Sequence, residues 1–532
     1  MMWPQMNASV SSAAGTFEKP SWRWPVAAGL LAILLAIPFF LVDVPPVLDY
    51  PNHLARYFVL AHPDDPILSQ MYAPHWVVLP NLGMDVIGAA ILRVTDVYVG
   101  GRILLALSLF APIVGVIAYH RAAFGRYSFW PLASGLVAYN GAFLLGFMNF
   151  LLSLGFALIG SAIWIVLRRR KMLLVPIAVG AVAAAVIFFS HIFGVVLFAL
   201  LITSNEADLL WRRLKSGLLR LSDLAYAAGA IAAALSPALL LYFLSPLQTG
   251  DASIGEWRGF AKFWSIFAPF MTTSVALTAM TGIAVILLLY RRQLQLAPGL
   301  PLALTGLVIA FVVAPSSMAR GTTFVAFIDL RFAMMMGLLL FAGIQPHLTS
   351  RQAILTGLVV GALIVLRSGY VGMTWIDHRQ DLADLRAAIA NVQPGARVLA
   401  ARGHPGGETN VQPAERALPG IYRLDGHLAA LVVIERSAFY PLLFADPTQQ
   451  PVIVKPPFDR IAQPLSEPIE WQWLMGEGPA TDVRYLRHWQ QDFDYVLLID
   501  PPGVTQSPPT LSPLYRGNYA QLYRIDHGPS RD

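Results

Sequence analysis

No cysteine occurs anywhere in the 532 residues, so disulfides and thiolate metal sites are excluded from the outset. Charge is scarce as well. Asp, Glu, Lys and Arg make up 13% of the chain, against the roughly 25% of an ordinary soluble domain. Absent too are an internal repeat, a Gly-rich phosphate loop, a nucleophile elbow and a two-histidine zinc helix. The formal net charge of +6 does not signal a nucleic-acid partner, because no Lys/Arg-rich arm or basic–aromatic stripe carries it. What fills the chain instead is apolar: 56% of residues are hydrophobic, and the mean hydropathy is +0.59. Residues 25 to about 366 are mostly long apolar runs, whereas 377–532 is rich in Asp, Arg, Gln and Pro and reads as soluble. This composition predicts an integral membrane protein with an aqueous C-terminal part.

A bilayer span takes roughly 20 apolar residues. The pattern places spans near 25–42, 103–119, 129–145, 150–167, 173–189, 192–210, 223–244, 271–290, 300–314, 331–345 and 352–366. About eleven transmembrane helices are therefore expected, with tight hairpin turns near Gly146-Phe147-Met148-Asn149 and Ser190-His191. Lys19 and Arg23, Arg121 and Arg126, Arg168 to Lys171, Arg212, Arg213, Lys215 and Arg220, Arg291-Arg292 and Arg351 then all fall on one side. Basic loops mark the cytoplasm. The division that follows is a cytoplasmic tail (1–24), a membrane domain (25–369) with a first outer loop at 43–102, and an extracytoplasmic soluble domain (370–532). The first apolar run lacks the small-residue cleavage site of a signal peptide and reads as a retained anchor.

Polar chemistry collects on the outer side, in loops 43–102, 245–270 and 315–331. An enzyme working there has no ATP or nucleotide sugar to hand, so its substrate must arrive activated. The densest cluster is Asp49-Tyr50-Pro51-Asn52-His53-Leu54-Ala55-Arg56. On a helix, positions 49, 53 and 56 share a face. Tyr50–Leu60 has the mixed pattern of a helix lying in the membrane interface, and Met84–Val94 reads as a second helix of the same loop. The C-terminal part shows a charged amphipathic helix at Asp377–Asn391, a strand at Arg397–Ala401, a helix at Asp482–Gln490, and strands at Tyr495–Asp500 and Tyr519–Ile525. That alternation predicts an α/β or α+β domain. Between 402 and 480, Gly and Pro are too frequent for elements to be assigned.

Pro46-Val47-Leu48-Asp49-Tyr50-Pro51-Asn52-His53 resembles the acid-led interfacial helix of the GT-C superfamily of polytopic glycosyltransferases, especially protein mannosyltransferases and the lipid A aminoarabinose transferase. The stretch from His75 to Asp85 is similar to the second surface helix of that superfamily's first outer loop. Where those proteins follow the Asp with Glu, this chain has Tyr50. The resemblance implies a GT-C-like membrane fold in a bacterial inner (cytoplasmic) membrane. It implies transfer of a sugar from a polyprenyl-phosphate donor to a glycan, lipid or protein acceptor, with membrane lipids as further partners. No organic cofactor is implied beyond the lipid-linked sugar, and a divalent cation is compatible with the class. Asp49 then takes the role of general base, with His53, Arg56, His191, Arg320 and Arg331 as substrate-binding candidates, arginine being suited to phosphate by its planar fork of donors.

Plainer readings compete. Asp49 is a suitable helix N-cap, and His53 and Arg56 suit contacts with lipid headgroups. His191 suits a buried hairpin, Asp329 and Arg331 suit a span edge, and Met334–Met336 suit packing. His53, His62 and His75 with Asp64 and Asp65 match no standard metal-ligand spacing. At the level of the whole chain, the rivals are a transporter or flippase and a non-catalytic envelope assembly protein. The first is disfavoured because the ionisable residues gather in outer loops and not at mid-span.

Overall fold

Backbone polar groups cannot stay unpaired in an apolar medium, so long apolar segments close their hydrogen bonds internally as helices. The computed structural model describes residues 20–248, 251–257, 291–320, 323–403, 418, 423–464, 466–476, 483–501, 504 and 506–527. Among them, six helices are long and apolar enough to cross a membrane: Arg23–Phe40, Val97–Phe124, Met148–Arg169, Ile192–Lys215, Leu221–Leu244 and Ser350–Ile389. Shorter apolar helices occupy Leu174–Ser190, Leu300–Val313 and Ile328–Ala342. The chain is largely helical, and several of its apolar helices could span a membrane, as is compatible with a multi-pass membrane protein. The span expected near 271–290 lies outside the described residues.

Val97–Phe124 and Met148–Arg169 form the central pair. They meet through small residues: a β-carbon on Gly155 would lie 2.5 Å from the Ala111 carbonyl oxygen. Such close backbone approach gains dispersion contacts where lipid offers no hydrophobic drive to associate. At one end of this pair, the Arg169 guanidinium donates to the carbonyls of Ala122 and Ala123, and Arg168 pairs with the buried Glu206 at 2.7 Å. Trp24 donates to the Ser128 carbonyl at the same end of the Val97–Phe124 helix. The turns at Gly146 and His191 sit at the other end.

Residues 129–145, expected to be a span, do not form a continuous helix. A 3-10 stretch, Trp130–Val137, is followed by the five-residue helix Gly141–Leu145. Asn140 divides them. Its side chain accepts from the Phe143 amide and donates to the carbonyls of Val137 and Ala138, taking up groups that a continuous helix would have paired. Irregular backbone of this kind is tolerated at membrane depth only when wrapped in protein, and every residue from Trp130 to Val137 is buried.

The Tyr50–Ala61 helix also departs from expectation. All but one of its 12 residues are buried, so it is enclosed in protein and does not float in an interface. Arg56 makes a two-pronged pair with Asp85 of the Gly83–Leu92 helix, at 2.6 and 3.2 Å, with both side chains fully buried. One face of the helix is covered by the C-terminal part of the chain: the Asn52 side chain bonds the Leu442 carbonyl and the Phe444 amide. Strand Tyr72–Pro74 pairs antiparallel with Val452–Val454, stitching the 43–102 segment to that part.

The C-terminal sheet has five strands in the order Leu511–Arg516, Ala520–Ile525, Tyr495–Ile499, Val398–Arg402 and Ile469–Glu470. Two contacts are antiparallel and two parallel. The expected boundary at 369/370 falls inside a single 40-residue helix, Ser350–Ile389, which absorbs the amphipathic helix predicted at 377–391. Asp384 near its end accepts from the amides of Tyr519 and Ala520 at 2.7 and 2.9 Å and from the Tyr515 hydroxyl, locking helix to sheet. In place of the helix expected over 482–490, the described residues show a 3-10 turn at Arg484–Leu486 and a short turn of helix at Trp489–Asp492.

Breaking a buried ion pair leaves one charge stranded, which costs about 3–5 kcal/mol. Arg56→Met is therefore expected to lower thermal stability in detergent sharply, and the double change Arg56→Met/Asp85→Leu to recover most of the loss. Equal melting points for the single and double variants would overturn this account of the pair.

Candidate functional site

The chain around Asp49 is held by backbone. The amides of Leu48 and Asp49 donate to the carbonyls of Leu144 and Leu145, laying the approach to the Tyr50–Ala61 helix against the Gly141–Leu145 helix end. Gly146 closes that end at φ +92°, and a β-carbon there would sit 2.7 Å from Asp49 Cβ. Only glycine meets both the left-handed backbone and the contact. The Asp49 side chain makes no N-cap bond to its helix, so the cap reading of this residue fails. Its carboxylate instead lines a cavity of about 310 Å³.

That cavity collects Asp49, His53, His191 and Arg331, four of the six predicted site residues. Arg56 is not among its described lining residues. It is committed to Asp85, behind the helix, and reaches the site only through its field. Arg320 is also outside the lining; it ends strand Ser317–Arg320, in register with Ala252 and Thr323. Two lining residues, His427 and Glu467, were not anticipated. Both come from the 402–480 stretch, whose irregular sequence carries no periodic signal. Tyr50 lies outside the lining and packs instead against Gly101.

His427 faces Asp49, with Nε2 3.5 Å from Oδ1. Its tautomer follows from Asn52, one helical turn after Asp49. The Asn52 carbonyl oxygen accepts from the Phe444 amide at 2.7 Å, while its NH₂ donates to the Leu442 carbonyl at 2.9 Å and faces His427 Nδ1 at 3.4 Å. With Nδ1 the acceptor, the proton sits on Nε2, the ring nitrogen nearer the carboxylate. Asn52 was legible in the sequence as the residue three after Asp49 on the same helix face. The turn carrying His427 is anchored to the sheet by a buried network: Arg423 bonds Asp425 at 2.9 Å and Asp500 at 2.8 Å, and Tyr519 donates to Asp425.

Arg331 projects from the Ile328–Ala342 helix into a cage of rings, with Phe147, Phe150 and Phe193 at 4.7, 5.3 and 5.3 Å. One guanidinium nitrogen meets His191 Nε2 at 2.6 Å and another donates to the Ala326 carbonyl, while Nε has no partner. No carboxylate among the described residues is within salt-bridge distance of it, and the residue is only 8% exposed. His191 Nδ1 accepts from the Phe193 amide at 3.1 Å, which leaves the proton of the neutral ring on Nε2. The imidazole therefore lies beside the guanidinium without accepting from it. A buried cation faced by π-clouds and this ring is electrostatically incomplete. Its planar fork of donors has the chemistry to pair with an anion.

No family model, curated protein or solved structure matches the chain. The chemistry of the cavity therefore stands on its own groups. Burial pushes the Asp49 carboxyl up to about 8, the charge of Glu467 adds to that rise, and Arg56 and Arg331 oppose it. Some 18% of its side chain stays accessible at the cavity wall. His53 is driven well below its ordinary value by burial first, then by Arg56 and His427. His427 is lowered to about 4 by burial. Both imidazoles are thus neutral at physiological pH, and Asp49 is poised to exchange a proton. Among the described residues no three His, Asp or Glu side chains converge as a metal cluster.

Gly146→Ala would force both a strained backbone and a clash with Asp49. A loss of at least about 1 kcal/mol is expected, since Ala at positive φ costs more than the usual Gly-to-Ala gain. Unchanged thermal unfolding in this variant would show that the close approach is dispensable.

Proposed function

We propose that the protein is an inverting membrane glycosyltransferase of GT-C type, moving a sugar from a polyprenyl-phosphate donor to an acceptor hydroxyl outside the cytoplasm. The observation that carries this reading is a single cavity holding an uncapped carboxylate and a buried arginine with no carboxylate partner among the described residues. The first suits a base and the second a leaving phosphate. The apolar rings around Arg331 suit the first isoprene units of a lipid carrier, and Phe324, Phe327 and Leu247 extend that apolar lining. The membrane topology that goes with this reading has eleven spans, a cytoplasmic N-terminus, and the C-terminal sheet on the outer side.

In the proposed step, the acceptor oxygen attacks the sugar C1 while Asp49 takes its proton. The C1–O bond to phosphate breaks in the same displacement, and its electron pair leaves on the phosphate oxygen beside Arg331. A single displacement inverts C1. The transition state has oxocarbenium character, so the departing negative charge and the proton transfer both ease it. His427 donates its Nε2 proton toward Asp49, orienting the carboxylate and stabilising its charged form. The Ala326 carbonyl accepts from the Arg331 guanidinium and helps hold it in place.

Asp49 must be ionised to act, and its raised value sets the window. Activity as kcat/KM is expected to rise with pH through an inflection near 8. A flat profile between pH 6 and 9 would contradict the role. Asp49→Asn is isosteric and removes the base; transfer of labelled sugar from a polyprenyl-phosphate donor should fall at least about 100-fold, the scale of general-base catalysis. Full activity in that variant, with its fold intact, would sink the assignment. Arg331→Ala is expected to weaken donor binding, seen as a raised KM for the lipid-linked sugar.

A further inference from the structure

The cavity has two unlike walls. The membrane-side wall is aromatic and carries Arg331. The wall supplied by the C-terminal part is mostly polar: Thr448, Gln449, Gln450 and Glu467 line it together with His427 and the ring of Phe444. This polar wall is built, not incidental. Asp446 organises its loop: the carboxylate accepts from the Thr448 amide and hydroxyl, both at 2.8 Å, while its carbonyl accepts from the amides of Gln449 and Gln450. The Gln450 side-chain oxygen accepts from the Asp446 amide at 2.9 Å, which turns its NH₂ group away from that bond. Glu467 is steadied by Arg402 at 3.0 Å, an arginine it shares with Glu470 at 3.3 Å. One cation is thus divided between two carboxylates.

Amides, a hydroxyl and a carboxylate arrayed on one wall match the alternating donors and acceptors of a polyhydroxylated ring. A carboxylate accepts from sugar hydroxyls but repels a second carboxylate, and like-charge juxtaposition in a site of this kind costs several kcal/mol. The field of Glu467 does reach the reacting centre, because it is the second-largest influence raising Asp49.

Resting on the glycosyltransferase reading, we infer that the Thr448–Gln450 loop and Glu467 form the sugar subsite, and that Glu467 selects donors whose sugar is neutral against those bearing a uronic acid. The discrimination works by exclusion. A glucuronyl or galacturonyl group would bring its carboxylate against Glu467, whereas a neutral hexosyl group offers only hydroxyls.

The test uses the full-length protein in detergent and three probes: sugar-free undecaprenyl phosphate, undecaprenyl-phosphate glucose and polyprenyl-phosphate galacturonic acid. Binding is read by native mass spectrometry, and each variant is judged by the ratio of its affinities for the two glycosylated lipids, so a general loss of stability does not mimic the result. The wild-type chain is expected to prefer the glucosyl lipid by about tenfold or more, the lower end of a like-charge penalty. Glu467→Gln should bring the ratio to within about threefold, mainly by admitting the galacturonyl lipid, and Glu467→Asp should restore most of the preference. Equal wild-type affinity for the two lipids, or an unchanged ratio in Glu467→Gln, would overturn the subsite while leaving the enzyme reading intact. Failure of all three lipids to bind the wild-type chain would overturn the enzyme reading itself.

Discussion

The site depends on one close approach, the backbone of Asp49 lying against Gly146. Two segments nearly a hundred residues apart meet there, and the contact leaves no room for a side chain. Because Leu48 and Asp49 donate to the carbonyls of Leu144 and Leu145, Asp49 has its helix start fixed from outside. Its carboxylate is then released from capping and turned to the cavity. The interrupted structure over 130–145 acquires a purpose in this light. A continuous span would have carried its last turn past this point and closed the niche that Asp49 occupies.

Electrostatics completes what the backbone sets. Two arginines lie near Asp49 with opposite fates: Arg56 is neutralised by Asp85 and acts at a distance, while Arg331 has no carboxylate within salt-bridge distance among the described residues. The difference comes from the neighbours each helix meets. The Tyr50–Ala61 helix packs on Gly83–Leu92, which supplies Asp85, whereas the start of the Ile328–Ala342 helix meets phenylalanines and His191. Burial then tunes the titrating groups in divergent directions, carboxyl up and imidazoles down. The result is a carboxyl near neutrality between two uncharged histidines.

Much of this was legible in the sequence. Apolar run lengths located most of the long helices, and the polar knot after the first run pointed to Asp49 and His53. His191 and Arg331 were singled out as ionisable residues beside hairpin turns and loop mouths, and the structure brings these four to one cavity. Where the reading went astray, three-dimensional partners decided. Arg56 looked available because nothing local in the sequence announces Asp85 as its partner 29 residues on. The run at 129–145 has the apolarity of a span, yet Pro131 and Asn140 break it, and burial by other helices makes the break tolerable. His427 and Glu467 sit in a segment whose elements are too short for periodicity to show. Only the sheet, through Arg423, Asp425 and Asp500, brings His427 to Asp49.

The 40-residue helix Ser350–Ile389 has a further consequence. At 1.5 Å per residue it extends about 60 Å, twice the thickness of a bilayer's hydrocarbon core. One rigid rod therefore runs from the helical bundle to Asp384, where the sheet is clamped. The two walls of the cavity belong to parts of the molecule indexed to each other by that rod, so its rotational phase matters as much as its length. Inserting one residue midway would turn everything beyond by about 100° and raise it by about 1.5 Å, swinging the sheet's anchor off its heading. A seven-residue insertion, close to two full turns, would nearly preserve the heading and alter mainly the height. The helix behaves as an indexed shaft, and the alignment of His427 and Glu467 over Asp49 is one of the settings it keeps.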